Sequence, residues 1–207
     1  MRIRQHVNPL RSDYLHIPLE PLDLPSGRPV EVELGSAEAF FLMERAVEDP
    51  GRSYVGVEIR RDLVTQSNGM CRDRGFGQVR SVFANISVDL PRLFQPASVS
   101  RFFINFPDPF FKQRQRKRRA VDEDVVDQLA GLLEPDGEIH VATDIFDIAL
   151  DVMAMLERET PRRFVNLRAP WSFLRRSRFA ARSFRARLCE REGTRIWRLA
   201  YRLKWEP

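Results

Sequence analysis

The sequence predicts an α/β fold, a mainly parallel sheet of seven strands with helices on both faces. Three observations predict it. Short strand-like runs alternate with segments of helical periodicity through the first 160 residues. Chemically distinctive residues (Gly35, Glu58, Asn85, Asp108 and Asp144) recur where those strands end. The chain then finishes on two more strand-like runs that read as an antiparallel pair. Repeated βα units bury a sheet on both faces, and their crossovers make neighbouring strands parallel. Ligands of such sheets bind at the carboxyl ends of the strands, near the point where strand order reverses.

The elements follow in order. Residues up to about Gly27 are proline-rich and read as an irregular N-terminal arm, with residues 28–207 as a single domain. Pro29–Gly35 (PVEVELG) is a strand running into a turn, and Glu38–Ala46 carries apolar residues at helical spacing. Ser53–Ile59 is a second strand, Arg61–Arg72 a helix and Val79–Asn85 a third strand. Ser100–Phe106 is a fourth strand. Val121–Leu133 is a helix whose Asp122, Glu123 and Asp124 sit at the positive end of its dipole. Pro135-Asp136-Gly137 is a turn, Glu138–Thr143 a fifth strand and Ile145–Glu159 a helix. Phe164–Arg168 and Ile196–Leu203 form the closing pair.

Composition narrows the function classes. A chain of 207 residues with 43% hydrophobic content can bury one substantial core. Its two cysteines, Cys71 and Cys189, are far apart, so a reducing compartment is the expectation. The three histidines do not cluster with them, and no metal site is expected. The first ten residues lack the apolar core of a secretory signal, and no run is long enough to span a membrane. The cytoplasm is the expected location. Charge is distributed unevenly: Pro161–Pro207 holds fourteen Lys+Arg against three Asp+Glu, a net of +11, and the first 160 residues carry a net of −6. A strongly basic C-terminal segment points to a polyanionic partner.

Two segments carry chemistry. In the first, Gly35 lets the backbone turn and approach a ligand closely, and Glu58 closes the next strand twenty-three residues later. A carboxylate so placed accepts hydrogen bonds from the ribose hydroxyls of a nucleoside cofactor. The plainer alternative is a βα turn beside a solvent-facing acid. The second segment is more specific. Pro107 and Pro109 stiffen the chain around Asp108, holding its carboxylate at low entropic cost. Six of the eight residues from Lys112 to Arg119 are basic, a run able to neutralise several phosphates.

These residues resemble the tRNA (guanine-N7)-methyltransferases, a family of Rossmann-like class I S-adenosylmethionine-dependent methyltransferases. The likeness rests on Arg4–Leu10 in the arm, Glu33-Leu34-Gly35, Gly56–Arg60, the Asn105–Arg119 segment and Ala142-Thr143-Asp144. It implies transfer of a methyl group from S-adenosylmethionine to N7 of a guanine in tRNA, at position 46 of the variable loop. It implies that Glu33, Gly35, Glu58 and Asn85 line the cofactor site, with Asn85 beside the adenine. Asp108 falls on the acid assigned to catalysis and substrate binding. Lys112, Asp144 and Ser183 fall on substrate-binding positions. Arg114, Arg116, Lys117, Arg118 and Arg119 are the expected RNA-binding run, and the protein is expected to act as a monomer or homodimer.

The chain departs from the family pattern at several places. Ala37 and Ala39 stand where further glycines are usual, Glu38 replaces an often basic residue, Phe110 a tryptophan and Gln115 a histidine. Ala39 is expected to bring a methyl group to a position of close approach. Spacing from Trp197 aligns Ser183-Phe184-Arg185-Ala186 with a Thr-x-x-Glu motif, so Ala186 lacks the carboxylate; Glu190 would replace it if that alignment slips. Ala39 and Ala186 together leave a second reading, a catalytically weakened tRNA-binding relative. A methyltransferase with another RNA target and an unrelated nucleotide-binding protein are more distant readings. Trp171 and Phe173, among Arg175, Arg176 and Arg178, could stack on unpaired bases or pack a helix on the core.

Overall fold

The computed structural model describes residues 7–9, 11–107, 123–159 and 163–204. Its centre is one seven-stranded sheet: β1 (Val30–Leu34), β2 (Ser53–Glu58), β3 (Val79–Phe83), β4 (Val99–Asn105), β5 (Leu133–Thr143), β6 (Phe164–Asn166) and β7 (Trp197–Leu203). The strand order is β3-β2-β1-β4-β5-β7-β6. β1 to β5 pair in parallel, whereas β7 lies antiparallel to both β5 and β6. The closing pair expected from sequence is therefore present, with β7 inserted between β5 and β6. Order reverses between β1 and β4, which places the ligand crevice at their carboxyl ends.

Every residue of β1 and β2 is buried, as strands covered on both faces require. The helices are α1 (Ser12–Leu15), α2 (Phe40–Glu48), α3 (Arg61–Asp73), α4 (Ile86–Leu93), α5 (Glu123–Leu132), α6 (Phe146–Ala154) and α7 (Phe184–Glu192). A π-helical turn, Met155–Glu159, extends α6. The main core gathers Val32, Val55, Val57, Phe102 and Ile104 from the sheet with Leu90, Val126 and Leu129 from α4 and α5. Among the described residues no helix is long and apolar enough to cross a membrane.

Several elements differ from expectation. α1 interrupts the arm, and Leu19, Leu22 and Leu24 pack against the core, so the arm is more ordered than its prolines suggest. α2 begins at Phe40 because Ala39 before it is left-handed. The Pro135-Asp136-Gly137 turn lies inside β5, where the register against β4 jumps from Val99↔Leu133 to Arg101↔Glu138. A Cβ on Gly137 would meet Leu133 Cδ2 at 2.8 Å and the Glu134 carbonyl at 2.9 Å, so only glycine fits that turn.

α4 and α7 were not read from the sequence. α4 contains Pro91, which cannot donate to the Ser87 carbonyl one turn earlier. Gln128 on α5 donates its side-chain amide to that carbonyl at 3.1 Å. A tertiary contact replaces the missing bond, and local propensity could not show it. α7 is arginine-rich and buries only Ala186 and Cys189, too narrow an apolar stripe to register as a helical period.

Candidate functional site

A cavity of about 320 Å³ opens at the carboxyl ends of β1, β2 and β4. Its floor is Glu33, Gly35, Glu58 and Asn105; Val7 and Pro9 of the arm form one wall and Ser183, Phe184 and Arg185 of α7 another. The structure brings Glu33, Gly35, Glu58, Asn85 and Ser183, all singled out from the sequence, around one cavity. Asp144 is not among its lining residues and forms an ion pair with Arg185 instead. Asp108, Lys112, Arg114, Arg116, Lys117, Arg118 and Arg119 lie outside the described residues.

The loop after β1 sets the geometry. Gly35 has φ +78°, and a Cβ built there meets no protein atom within 4 Å, so its open side is left for a ligand. Ala37 and Ala39 are also left-handed, at φ +46° and +58°. The chain therefore keeps the alternating left-handed pattern that glycines usually supply and bears the strain of two methyl groups, about 1 kcal/mol each. The expected obstruction by Ala39 is not found. Ala39 is fully buried and packs with Leu42 and Tyr54, away from the cavity lining.

Glu58 ties this loop to β2. Its Oε2 accepts the Ala37 N–H at 2.9 Å, and its Oε1 the Arg60 N–H at 3.0 Å. The Arg60 guanidinium adds a bidentate pair, Nε to Oε1 and Nη2 to Oε2, both 2.8 Å. Arg60 also lines the cavity; sequence reasoning missed this role, and its position two residues after a strand-end acid was the available signal.

Glu33 lies across the switch point from Asn105, whose side-chain amide donates to Oε1 at 2.8 Å. Oε2 is buried with no hydrogen-bond partner among the described residues. Burial pushes the carboxyl up to about 8, against the Asn105 hydrogen bond that lowers it, and the nearby Glu58 charge adds to the rise. A buried acid with one open oxygen facing a cavity suits a cationic ligand, whose charge would restore ionisation.

Asn85 lines the cavity, and its side chain also makes hydrogen bonds within the protein. It caps α4 by accepting the Ser87 N–H at 3.1 Å, and its amide nitrogen donates to the Pro9 carbonyl at 2.9 Å and the Tyr14 carbonyl at 3.1 Å. Asp89 and Arg92 continue the clamp: Asp89 accepts the Asn85 N–H, and Arg92 bridges Asp89 to the Ile17 carbonyl. Asn85 lines the cavity, yet both amide protons hold the arm.

On the other wall Ser183 caps α7, its Oγ accepting the Ala186 N–H at 3.2 Å. Glu190, the alternative if the spacing-based alignment slips, pairs with Arg182 and Arg198 and is not among the residues lining the cavity. Phe106, left-handed at φ +53°, turns the chain out of β4 just before Pro107 and packs against Ala186 and Cys189. Phe184 stands 71% exposed at the cavity mouth. Phe173 clusters with Phe146 and Trp197, so its role is packing, whereas Trp171 is exposed.

A mainly parallel sheet with one antiparallel insertion, a left-handed loop after β1 and an acid closing β2 make up the class I methyltransferase fold. Solved structures share the fold. An rRNA methylase from Streptococcus thermophilus superposes with TM-score 0.56 at 7% identity, covering 86% of this chain and 88% of its own. A SAM dependent methyltransferase from Aquifex aeolicus does so with TM-score 0.56 at 9% identity, covering 86% and 82%. The family described as "Putative methyltransferase" matches residues 27–199. A tRNA (guanine-N(7)-)-methyltransferase from Microcystis aeruginosa (strain NIES-843 / IAM M-2473) is 31% identical over 99% of both chains. One from Synechococcus sp. (strain JA-3-3Ab) is 39% identical over 73% of this chain, which spans 66% of that relative's length. The chain belongs to the tRNA (guanine-N7)-methyltransferase family.

Two outcomes test this geometry. Ala37→Gly relieves left-handed strain and is expected to raise stability by about 1 kcal/mol. Ala39→Gly is expected to change it little, because a buried methyl worth about 0.8 kcal/mol is lost with the strain. Equal thermal shifts in the two variants would show that Ala39 is not packed as described. Asn85→Ala, which frees the arm, is expected to cost about 1–2 kcal/mol and to speed proteolytic cleavage within residues 7–27. Weaker cofactor binding with unchanged cleavage would return Asn85 to an adenine-contacting role.

Proposed function

We propose that this protein transfers a methyl group from S-adenosylmethionine to N7 of a guanine in tRNA, at position 46 of the variable loop, in the cytoplasm. The observation that carries the cofactor assignment is the pairing of a buried Glu33 oxygen, without a hydrogen-bond partner among the described residues, with the left-handed turn at Gly35. The residues present fit the cofactor: Glu33 faces its positive charge, Gly35 admits its close approach, and Glu58, at the end of β2, is the carboxylate placed to take its ribose in exchange for a present partner. S-adenosylmethionine supplies a methyl group made electrophilic by its attachment to a sulfonium sulfur.

The guanine N7 carries an in-plane lone pair, so no base need remove a proton before attack. What the protein must do is align and exclude water. Alignment alone can supply about 7–11 kcal/mol of a barrier. Asp108 follows the strained turn at Phe106 and the fixed ring of Pro107. In this reading it holds the guanine N1–H and N2–H₂ edge and offsets the positive charge that the ring gains. Lys112 and the Arg114–Arg119 run hold tRNA phosphates. Asp144 acts through Arg185, which it pairs with and which lines the cavity. Loss of the carboxylate at Ala186 favours no separate reading, because the cofactor loop keeps its shape.

Two experiments test the proposal. Mass spectrometry of tRNA nucleosides after incubation with isotope-labelled cofactor is expected to find labelled 7-methylguanosine. Asp108→Ala is expected to abolish the label with tRNA affinity retained; label formed by that variant would remove Asp108 from catalysis. The second concerns pH. The Glu33 carboxyl sits near 8, so it is mostly protonated at neutral pH and ionises as pH rises through that value. A cationic ligand favours the ionised form. Binding of S-adenosylhomocysteine, which keeps an ammonium group, should therefore tighten from pH 6.5 towards pH 8.5 and release a proton. Glu33→Gln should flatten that part of the profile, and a profile identical to that of the wild type would exclude Glu33 as its source.

A further inference from the structure

We propose that Arg60 is a latch on Glu58: its guanidinium holds the carboxylate until a ligand arrives, and the cofactor's ribose binds by displacing it. The proposal rests on the reading that Glu58 receives the ribose.

An ionised carboxylate offers about four lone-pair sites. Glu58 already has four donors, two on each oxygen. Oε2 accepts from the Ala37 N–H and Arg60 Nη2; Oε1 accepts from the Arg60 N–H and Arg60 Nε. A ribose diol brings two more donors, so two must leave. The backbone donors cannot leave without remaking the left-handed loop after β1 or the start of α3. The other two belong to one side chain on a flexible stem. That side chain is 22% exposed, whereas Glu58 is 2% exposed, so only the guanidinium has a route to water.

The exchange is uneven. Two charge-assisted bonds in fork geometry are given up for two bonds from neutral hydroxyls, which are weaker. The guanidinium regains hydration, which offsets part of the difference. The latch therefore lowers the apparent affinity for cofactor, because the competent state is only part of the population. In return it keeps a buried acid paired and aimed while the site holds no ligand; a buried charge without a partner would otherwise weaken the loop. Arg60 is thus a positioning residue that competes with the cofactor it prepares the site for. A fixed counterion that stayed on Glu58 in the complex would have the opposite signature, since removing it would loosen binding.

The test is calorimetric titration of the full-length protein with S-adenosylhomocysteine, at one pH and salt concentration. Arg60→Met keeps the apolar stem and removes both donors. It is expected to bind about tenfold more tightly than the wild type, a factor equal to about 1.4 kcal/mol. Its ligand-free melting temperature is expected to fall, because Glu58 loses its partner. Arg60→Lys, a cation without the fork, is expected to fall between the two in affinity, and it covers the case in which Arg60→Met folds poorly. Glu58→Gln is expected to weaken binding. Equal or weaker binding by Arg60→Met and Arg60→Lys, with Glu58→Gln also weakened, would overturn the latch and leave the ribose assignment standing. Unchanged binding by Glu58→Gln would overturn both, and so mark failure of the underlying reading.

Discussion

The cofactor end of this protein depends on one hydrogen bond, from the Ala37 N–H to Glu58 Oε2. Ala37 and Ala39 are alanines in a backbone region that costs L-residues energy. Such a loop persists only where its surroundings over-determine it. A buried carboxylate fixed at the end of β2 does so, aided by the Gly35 and Ser36 N–H groups that both donate to the Val57 carbonyl. Replacing glycines by alanines therefore changes the energy of the loop and leaves its path in place. The same carboxylate that shapes the loop is the group expected to meet the ribose, which makes loop geometry and ligand recognition a single constraint.

A second constraint links the arm to the sheet. Asn85 and Asp89 are 1% and 0% exposed, so their polar atoms must be satisfied by protein. They are satisfied largely by the arm and by the first turn of α4: the Pro9, Tyr14 and Ile17 carbonyls are reached through Asn85 and Arg92. Burying these groups makes the arm a wall of the cavity. It also explains why a segment with many prolines, short of local hydrogen-bond donors, holds one path.

The sequence exposed most of the fold because parallel strands buried on both faces give apolar runs that stand out between helical periods. Strand ends were legible for the same reason, and with them Glu33, Gly35, Glu58 and Asn85. What stayed hidden depended on distant partners. Pro91 argued against a helix that Gln128 makes viable from α5. α7 had its signals, a serine cap at Ser183 and left-handed Gly193 at its end, but a poor apolar stripe between them. The family pattern suggested adenine for Asn85, and only the fold shows that the arm occupies both its amide protons. Arg60 was passed over because a lone arginine after a strand-end acid gains meaning only when both carboxylate oxygens are counted.

α7 carries Ser183 and Arg185 into the cavity wall, yet it makes little of its own core. What positions it is a set of carboxylates on α2. Glu48 accepts the Ala180 and Ala181 N–H groups, and Glu44 accepts the Arg182 N–H and pairs with Arg187. Those hydrogen bonds and the Arg45 charge beside it offset the cost of burial and hold the Glu48 carboxyl below its usual range. α2 in turn starts where the left-handed loop ends, at Ala39. α7 thus hangs from the helix that the left-handed loop after β1 launches. Displacing that loop would move α2 at its first turn, and α7 through Glu44 and Glu48. The two halves of the cavity are therefore both tied to α2. That arrangement suits a reaction whose main demand is alignment.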